Sequence, residues 1–194
     1  MRTRRPVQDL GVVLAPGAGT GADHPALLAI DAALGDVPTL RFDFPYRLAG
    51  KRPPDRPPVL LAAYRDAVDR LVASAGVSRV VVAGRSMGGR IGSMLAAEGH
   101  RSIVGVACVA YPLHPPKHPD RLRTEHLGSI DVPCLFVSGD RDPFGTPLEF
   151  ETALVAIPGP VTQVWIPDKA HDLRGVDGQV ADVVAGWVGQ LASG

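Results

Sequence analysis

The stretch VVVAGRSMGGR, Val80 to Arg90, decides the fold. An apolar, β-branched run stops at Gly84, a lone serine follows at Ser86, and Gly88 and Gly89 close behind it. The run reads as a buried strand and the following MGGRIGSMLAAEG as a helix. Gly84-Arg85-Ser86-Met87-Gly88 is then a G-x-S-x-G turn between a strand and a helix. Two readings of Ser86 are open at this point. It is either a nucleophile lifted on a strained turn at the strand's end, or an N-cap serine among glycines.

Outward from this turn the same rhythm repeats. LGVVLA (10–15), PTLRFDF (38–44), SIVGVACVAYP (102–112), VPCLFVSG (132–139) and VTQVWIP (161–167) read as five more strands. Helical patterns stand between most of them. The clearest is PVLLAAYRDAVDRLVASAG (58–76), with Leu60, Tyr64, Ala67, Val68 and Leu71 on one face and Gly76 as its stop. Strands that are apolar on both faces and separated by helices predict a mostly parallel, doubly wound α/β sheet. In such sheets a ligand sits beyond the carboxyl ends of the strands. Two segments break the rhythm, the Pro-rich basic loop Tyr46–Pro58 and the polar loop Tyr111–Ile130, and neither is large enough for a second domain.

Composition narrows the classes of function. Lys and Arg (20) balance Asp and Glu (20), which argues against a surface built for nucleic acid or anionic lipid. Cys108 and Cys134 lie in apolar runs and read as buried free thiols, which suits a reducing cytoplasm. The basic N-terminus is interrupted by Gln8 and Asp9 before a short apolar run, so it is not read as a leader. No run approaches the ~18 apolar residues of a membrane span.

The strand ends carry the chemistry. Beyond the fifth strand, VSGDRDPFG supplies Asp140 and Asp142; beyond the sixth, WIPDKAHDL supplies His171. A nucleophilic serine needs such a base and such an orienting acid. It also needs N–H donors for an oxyanion, here expected from Met87 and from the glycine loop around Ala18. That loop has a rival reading. Gly17-Ala18-Gly19-Thr20-Gly21-Ala22 fits the G-x-G-x-x-A dinucleotide pattern, with Asp43 placed as a ribose-binding acid. The rival leaves Ser86, Asp142 and His171 unexplained. His24, His100, His114, His118 and His126 do not fit the base position. His100 reads as a helix-end residue. His114, His118 and His126 read as surface loop residues, with lining of the site or weak metal binding as the alternative.

The chain resembles the α/β-hydrolases, and more narrowly their KANL3/Tex30-like and dienelactone-hydrolase-like branch. The resemblance rests on PGAGTGADHP, LRFDFPYRLAGKRPPDRPP, AGRSMGGR, VSGDRDPFG and KAHDL. It implies a minimal hydrolase fold with strand order 2-1-3-4-5-6, no cap domain, and a Ser86-Asp142-His171 triad. The acid falls on Asp142 as the fourth residue of G-x-x-D from Gly139; a residue deeper in the turn also reaches back over the sheet more easily. The expected function is a serine carboxylesterase acting on a small-molecule ester, with thioester or amide substrates also open and no cofactor or metal. A non-catalytic scaffold or binding subunit on the same fold is the alternative. Arg47, Arg85 and Tyr111 are expected near the mouth as substrate-binding residues. Phe44, Leu113 and Phe144 are expected either as a shallow apolar shelf or as residues buried under the loops.

Overall fold

The computed structural model describes residues 9–193. The basic segment at residues 1–8, read above as not a leader, lies outside the described residues. The six apolar runs become β1 (Leu10–Ala15), β2 (Thr39–Arg41), β3 (Arg79–Arg85), β4 (Ile103–Val109), β5 (Cys134–Gly139) and β6 (Val161–Ile166). They form one sheet in the order β2-β1-β3-β4-β5-β6. Every pairing is parallel, so the sheet is wholly rather than mostly parallel. The main helices are α1 (Pro25–Leu34), α3 (Pro57–Ala75), α4 (Met87–Ala97), α5 (Pro147–Leu154) and α6 (Asp177–Ser193). A single-turn helix, α2 (Pro45–Leu48), lies in the Pro-rich loop, and a 3₁₀ turn (Leu127–Ser129) lies in the polar one.

Two apolar layers sandwich the sheet. On one face Val13, Val82, Val106 and Phe136 meet Tyr64 and Val68 of α3, Ile91 and Leu95 of α4, and Phe150 of α5. On the other, Val12, Val81, Ala107 and Leu135 meet Leu27 and Ile30 of α1 and Val180, Val184 and Val188 of α6. The alternation along each strand follows from the two-residue period of β-structure. Central strands buried on both faces explain why their sequences are continuous apolar runs. β2 is shorter than its apolar run. Phe42 still donates its N–H to Leu14 O at 3.4 Å, but Pro45 then opens α2 and turns the chain away. Among the described residues no helix is long and apolar enough to cross a membrane.

Candidate active site

β3 enters α4 through a turn that only particular residues permit. A Cβ on Gly88 would lie 2.3 Å from Ala15 O, and one on Gly84 2.5 Å from the Gly88 carbonyl carbon. The two glycines therefore let α4 start against the sheet. Between them Ser86 holds φ 51° and ψ −114°, a region that costs a residue with a Cβ about 1–3 kcal/mol. The Ser86 N–H donates to Val109 O at 2.8 Å, which fixes the turn to the neighbouring strand. Ser86 occupies the N-cap position of α4, yet its side chain makes no capping bond. Its Oγ instead stands 2.9 Å from His171 Nε2.

His171 sits in the loop after β6, and its Nδ1 lies 2.8 Å from Asp142 Oδ2. A carboxylate can only accept there, so Nδ1 carries the proton and Nε2 is free to accept from the Ser86 hydroxyl. Asp142 is 3% exposed. Its second oxygen accepts the Phe144 N–H at 2.8 Å, which orients the carboxylate. The loops after β5 and β6 touch closely enough that a Cβ on Gly139 would lie 2.1 Å from Lys169 O. That approach brings Asp142 and His171 together. The Phe144 ring lies against the imidazole, centroids 4.1 Å apart. Arg85 Nη2 donates to the His171 carbonyl at 3.2 Å. Burial pulls the Arg85 guanidinium below its ordinary pKa, against the opposing pull of Asp172, Asp177 and Asp142. Asp140 is exposed at the surface of the same turn.

A cavity of about 460 Å³ opens over Ser86, with Ala18, Met87, Arg85, Phe144 and His171 among its walls. Pro54 and Pro57 of the first loop and Pro112 and Arg123 of the second line it too. The Met87 N–H lies in the first turn of α4, where no intrahelical acceptor exists. The glycine loop is braced from behind: Gly19 N–H donates to Tyr46 Oη at 3.2 Å, and Ala22 N–H to Asp43 Oδ1 at 2.9 Å. Asp43, the residue assigned to a ribose under the dinucleotide reading, thus holds its own loop. α1 moreover begins with the His24 side chain accepting from Ala26 N, and with Pro25, which has no N–H for a phosphate.

Several expectations change. Tyr111 is fully buried rather than at the mouth. Its ring packs on Phe136 and Phe150, and its hydroxyl donates to Arg123 O at 2.7 Å. The left-handed turn at Ala110, φ 51°, directs the chain inward there. Arg47 is exposed on α2 and is not part of the cavity wall. Phe44 and Leu113 belong to the core, whereas Phe144 lines the cavity. His118 is exposed, but His114 is buried and contacts Glu149 Oε2 at 3.3 Å. His126 is half-buried against Ser93 Oγ at 2.8 Å. Among the described residues no cluster of three or more His, Cys, Asp or Glu side chains could hold a metal. Arg90 and Arg123 line the cavity and were not singled out from sequence. For Arg90 the signal was available: it stands four residues after Ser86 on a helix, hence on the same face.

The fold has many relatives among solved structures. Est1E from Butyrivibrio proteoclasticus superposes with TM-score 0.80 at 16% identity, covering 97% of this chain and 90% of that one. A dienelactone hydrolase from Anabaena variabilis gives TM-score 0.74 at 22% identity, covering 93% and 86%. The RedJ thioesterase of Streptomyces coelicolor gives 0.66 at 18%, covering 94% and 85%. Residues 8–181 match the model of the alpha/beta hydrolase domain. Sheet order, strand–turn–helix geometry and this match agree: the chain belongs to the alpha/beta hydrolase family.

Proposed function

We propose that this hydrolase is a serine carboxylesterase working through an acyl-enzyme, with a small-molecule ester as substrate and the cytosol as its location. The observation that carries the reading is the continuous chain Ser86 Oγ, His171 Nε2, His171 Nδ1, Asp142 Oδ2, with steps of 2.9 and 2.8 Å. Ser86 Oγ attacks the acyl carbon while His171 Nε2 takes its proton. Asp142 keeps the imidazole in the accepting tautomer and stabilises the imidazolium. The N–H groups of Met87 and Ala18 hold the oxyanion. His171 returns the proton to the leaving alkoxide, and the ester bond breaks. Water, deprotonated by the same imidazole, then releases the acid from Ser86.

The likeness to a dienelactone hydrolase and a thioesterase supports acyl transfer in general, and Est1E has been solved with ferulic acid bound. The unpaired, buried thiols of Cys108 and Cys134 support a reducing compartment. RFDFPYR and the following PPDR support the narrower branch suggested by the sequence. The deciding experiment is labelling by a fluorophosphonate probe together with p-nitrophenyl acetate hydrolysis. Wild type should react in both and Ser86→Ala in neither, with a loss on the order of 10⁶ in kcat. Equal turnover by Ser86→Ala removes the serine mechanism. Silence of the folded wild type in both assays moves the chain to a scaffold role.

A further inference from the structure

The guanidinium-bearing residues Arg85, Arg90 and Arg123 line the same cavity as Ser86, against one acid, Asp55. The chain as a whole is neutral, 20 basic residues to 20 acidic, so the excess is local. Arg85 is accounted for by the His171 carbonyl and its acidic surroundings. Arg90 is not. It lies on α4 one turn, ~5.4 Å, beyond the serine, with its own N–H bonded to Ser86 O at 3.1 Å. Its Nε is buried with no hydrogen-bond partner among the described residues. The ion pairs among the described residues involve neither Arg90 nor Arg123.

Arg123 is held by its backbone and by its side chain, whose Nη1 donates to Pro112 O at 3.4 Å. Its N–H donates to Leu113 O at 2.8 Å, and its carbonyl accepts the buried Tyr111 hydroxyl at 2.7 Å. The loop is also fastened to α4. Ser93 Oγ donates to Arg90 O at 2.8 Å, so at 2.8 Å from His126 Nε2 it accepts. Burial lowers the Arg123 pKa, and the neighbouring Arg90 charge lowers it further. Two like charges so fixed, one with a buried donor unused, are unfavourable on their own and are relieved by an anion between them. Planar guanidinium forks match a carboxylate. Asp55 disfavours an anion at its own stretch of the wall.

We propose that Arg90 and Arg123 form a carboxylate-binding subsite of the Ser86 cavity, and that the ester processed there carries a free carboxylate a few bonds from its scissile carbonyl. The word ester rests on the function proposed above; the carboxylate subsite does not. Titration calorimetry separates the two. Glutarate should bind the wild-type protein saturably below millimolar concentration, at least tenfold more tightly than neutral glutaramide. Arg90→Gln and Arg123→Gln, each checked for a wild-type melting curve, should weaken glutarate at least tenfold. Arg90→Lys and Arg123→Lys serve where a glutamine variant fails to fold, and should weaken it less. In kinetics, kcat/KM for mono-p-nitrophenyl glutarate should exceed that for p-nitrophenyl valerate at least tenfold, a ratio that collapses in the same variants. Glutarate binding with no ester turned over upholds the subsite and overturns the hydrolase reading. Ester turnover with a ratio near one and no glutarate binding upholds the hydrolase and overturns the subsite. Inorganic phosphate binding more tightly than glutarate overturns the carboxylate assignment.

Discussion

The Arg85 guanidinium donates to the His171 carbonyl oxygen across 3.2 Å, so the residue just before the serine steadies the loop that carries the imidazole. Under the proposed mechanism Arg85 acts as a positioning residue. Arg85→Met should lower kcat roughly tenfold or more with KM nearly unchanged, since a hydrogen bond from a charged donor is worth ~1.5–3 kcal/mol. Steady-state kinetics on p-nitrophenyl acetate measure the split. A raised KM at constant kcat would return Arg85 to direct substrate binding.

The two acids of the β5 turn should separate cleanly. Asp142→Asn should cost ~10⁴ in kcat, because an amide at this position no longer fixes the His171 tautomer. Asp140 is exposed and takes no part in the chain of contacts from Ser86, so Asp140→Asn should cost less than about threefold. Comparing the two rates at equal protein concentration is sufficient, and the reverse ranking would exclude Asp142 as the acid.

Backbone crowding predicts opposite signs for two glycine substitutions. Gly88→Ala places a methyl 2.3 Å from Ala15 O and should destabilise by ~1–3 kcal/mol or more. Gly186→Ala lies inside α6 with nothing within 4 Å of the new carbon. It should stabilise by ~0.5–1 kcal/mol. Urea denaturation midpoints test both.

His126 sets a pH dependence of stability. Burial first, then the Arg90 charge, push its pKa down from 6.5 to about 4. Between these values the unfolded chain binds more protons than the folded one, so stability rises with pH there. The contribution is fully present above pH 6.5 and is lost as pH falls toward about 4. Denaturation measured across that window should show a shallower slope in His126→Gln than in wild type; an unchanged slope would show that His126 titrates normally.

Chain length probes the cavity walls. Leu60, Ile91 and Phe144 offer apolar contact within about 460 Å³. Each CH₂ buried contributes ~0.8 kcal/mol, and the gain ends where the wall ends. Acetyl and butyryl p-nitrophenyl esters should therefore show higher kcat/KM than dodecanoyl and palmitoyl esters below their micellar concentrations. A rise through to palmitoyl would mean that loops 46–58 and 111–130 enclose a tunnel.

The strands and their ends were legible because buried strands read as apolar runs and because the chain leaves each run through glycine, proline or aspartate. That placed Ser86, Asp142 and His171 beyond the carboxyl ends of β3, β5 and β6. Side-chain direction was not legible. Tyr111 and Arg47 both follow strand ends, yet the turn at Ala110 sends one ring into the core, and α2 leaves the other side chain in solvent. A single helical turn such as α2, opened by Pro45, offers too few residues for a periodic pattern. The Ser93–His126 and His114–Glu149 contacts join residues 33 and 35 positions apart, and nothing in either local sequence announces its partner.

The layer that joins α1 to α6 also bears on synthesis. Leu27, Ile30 and Leu34 are covered by Val180, Val184 and Val188, which leave the ribosome after every strand has been made. Until then the nascent polypeptide carries one face of its sheet, and the first helix on it, in water. Sticky intermediates of this kind are what chaperones recognise. The imidazole at His171 emerges in the same late segment, so a chain arrested after α5 holds Ser86 and Asp142 but neither His171 nor a finished second layer.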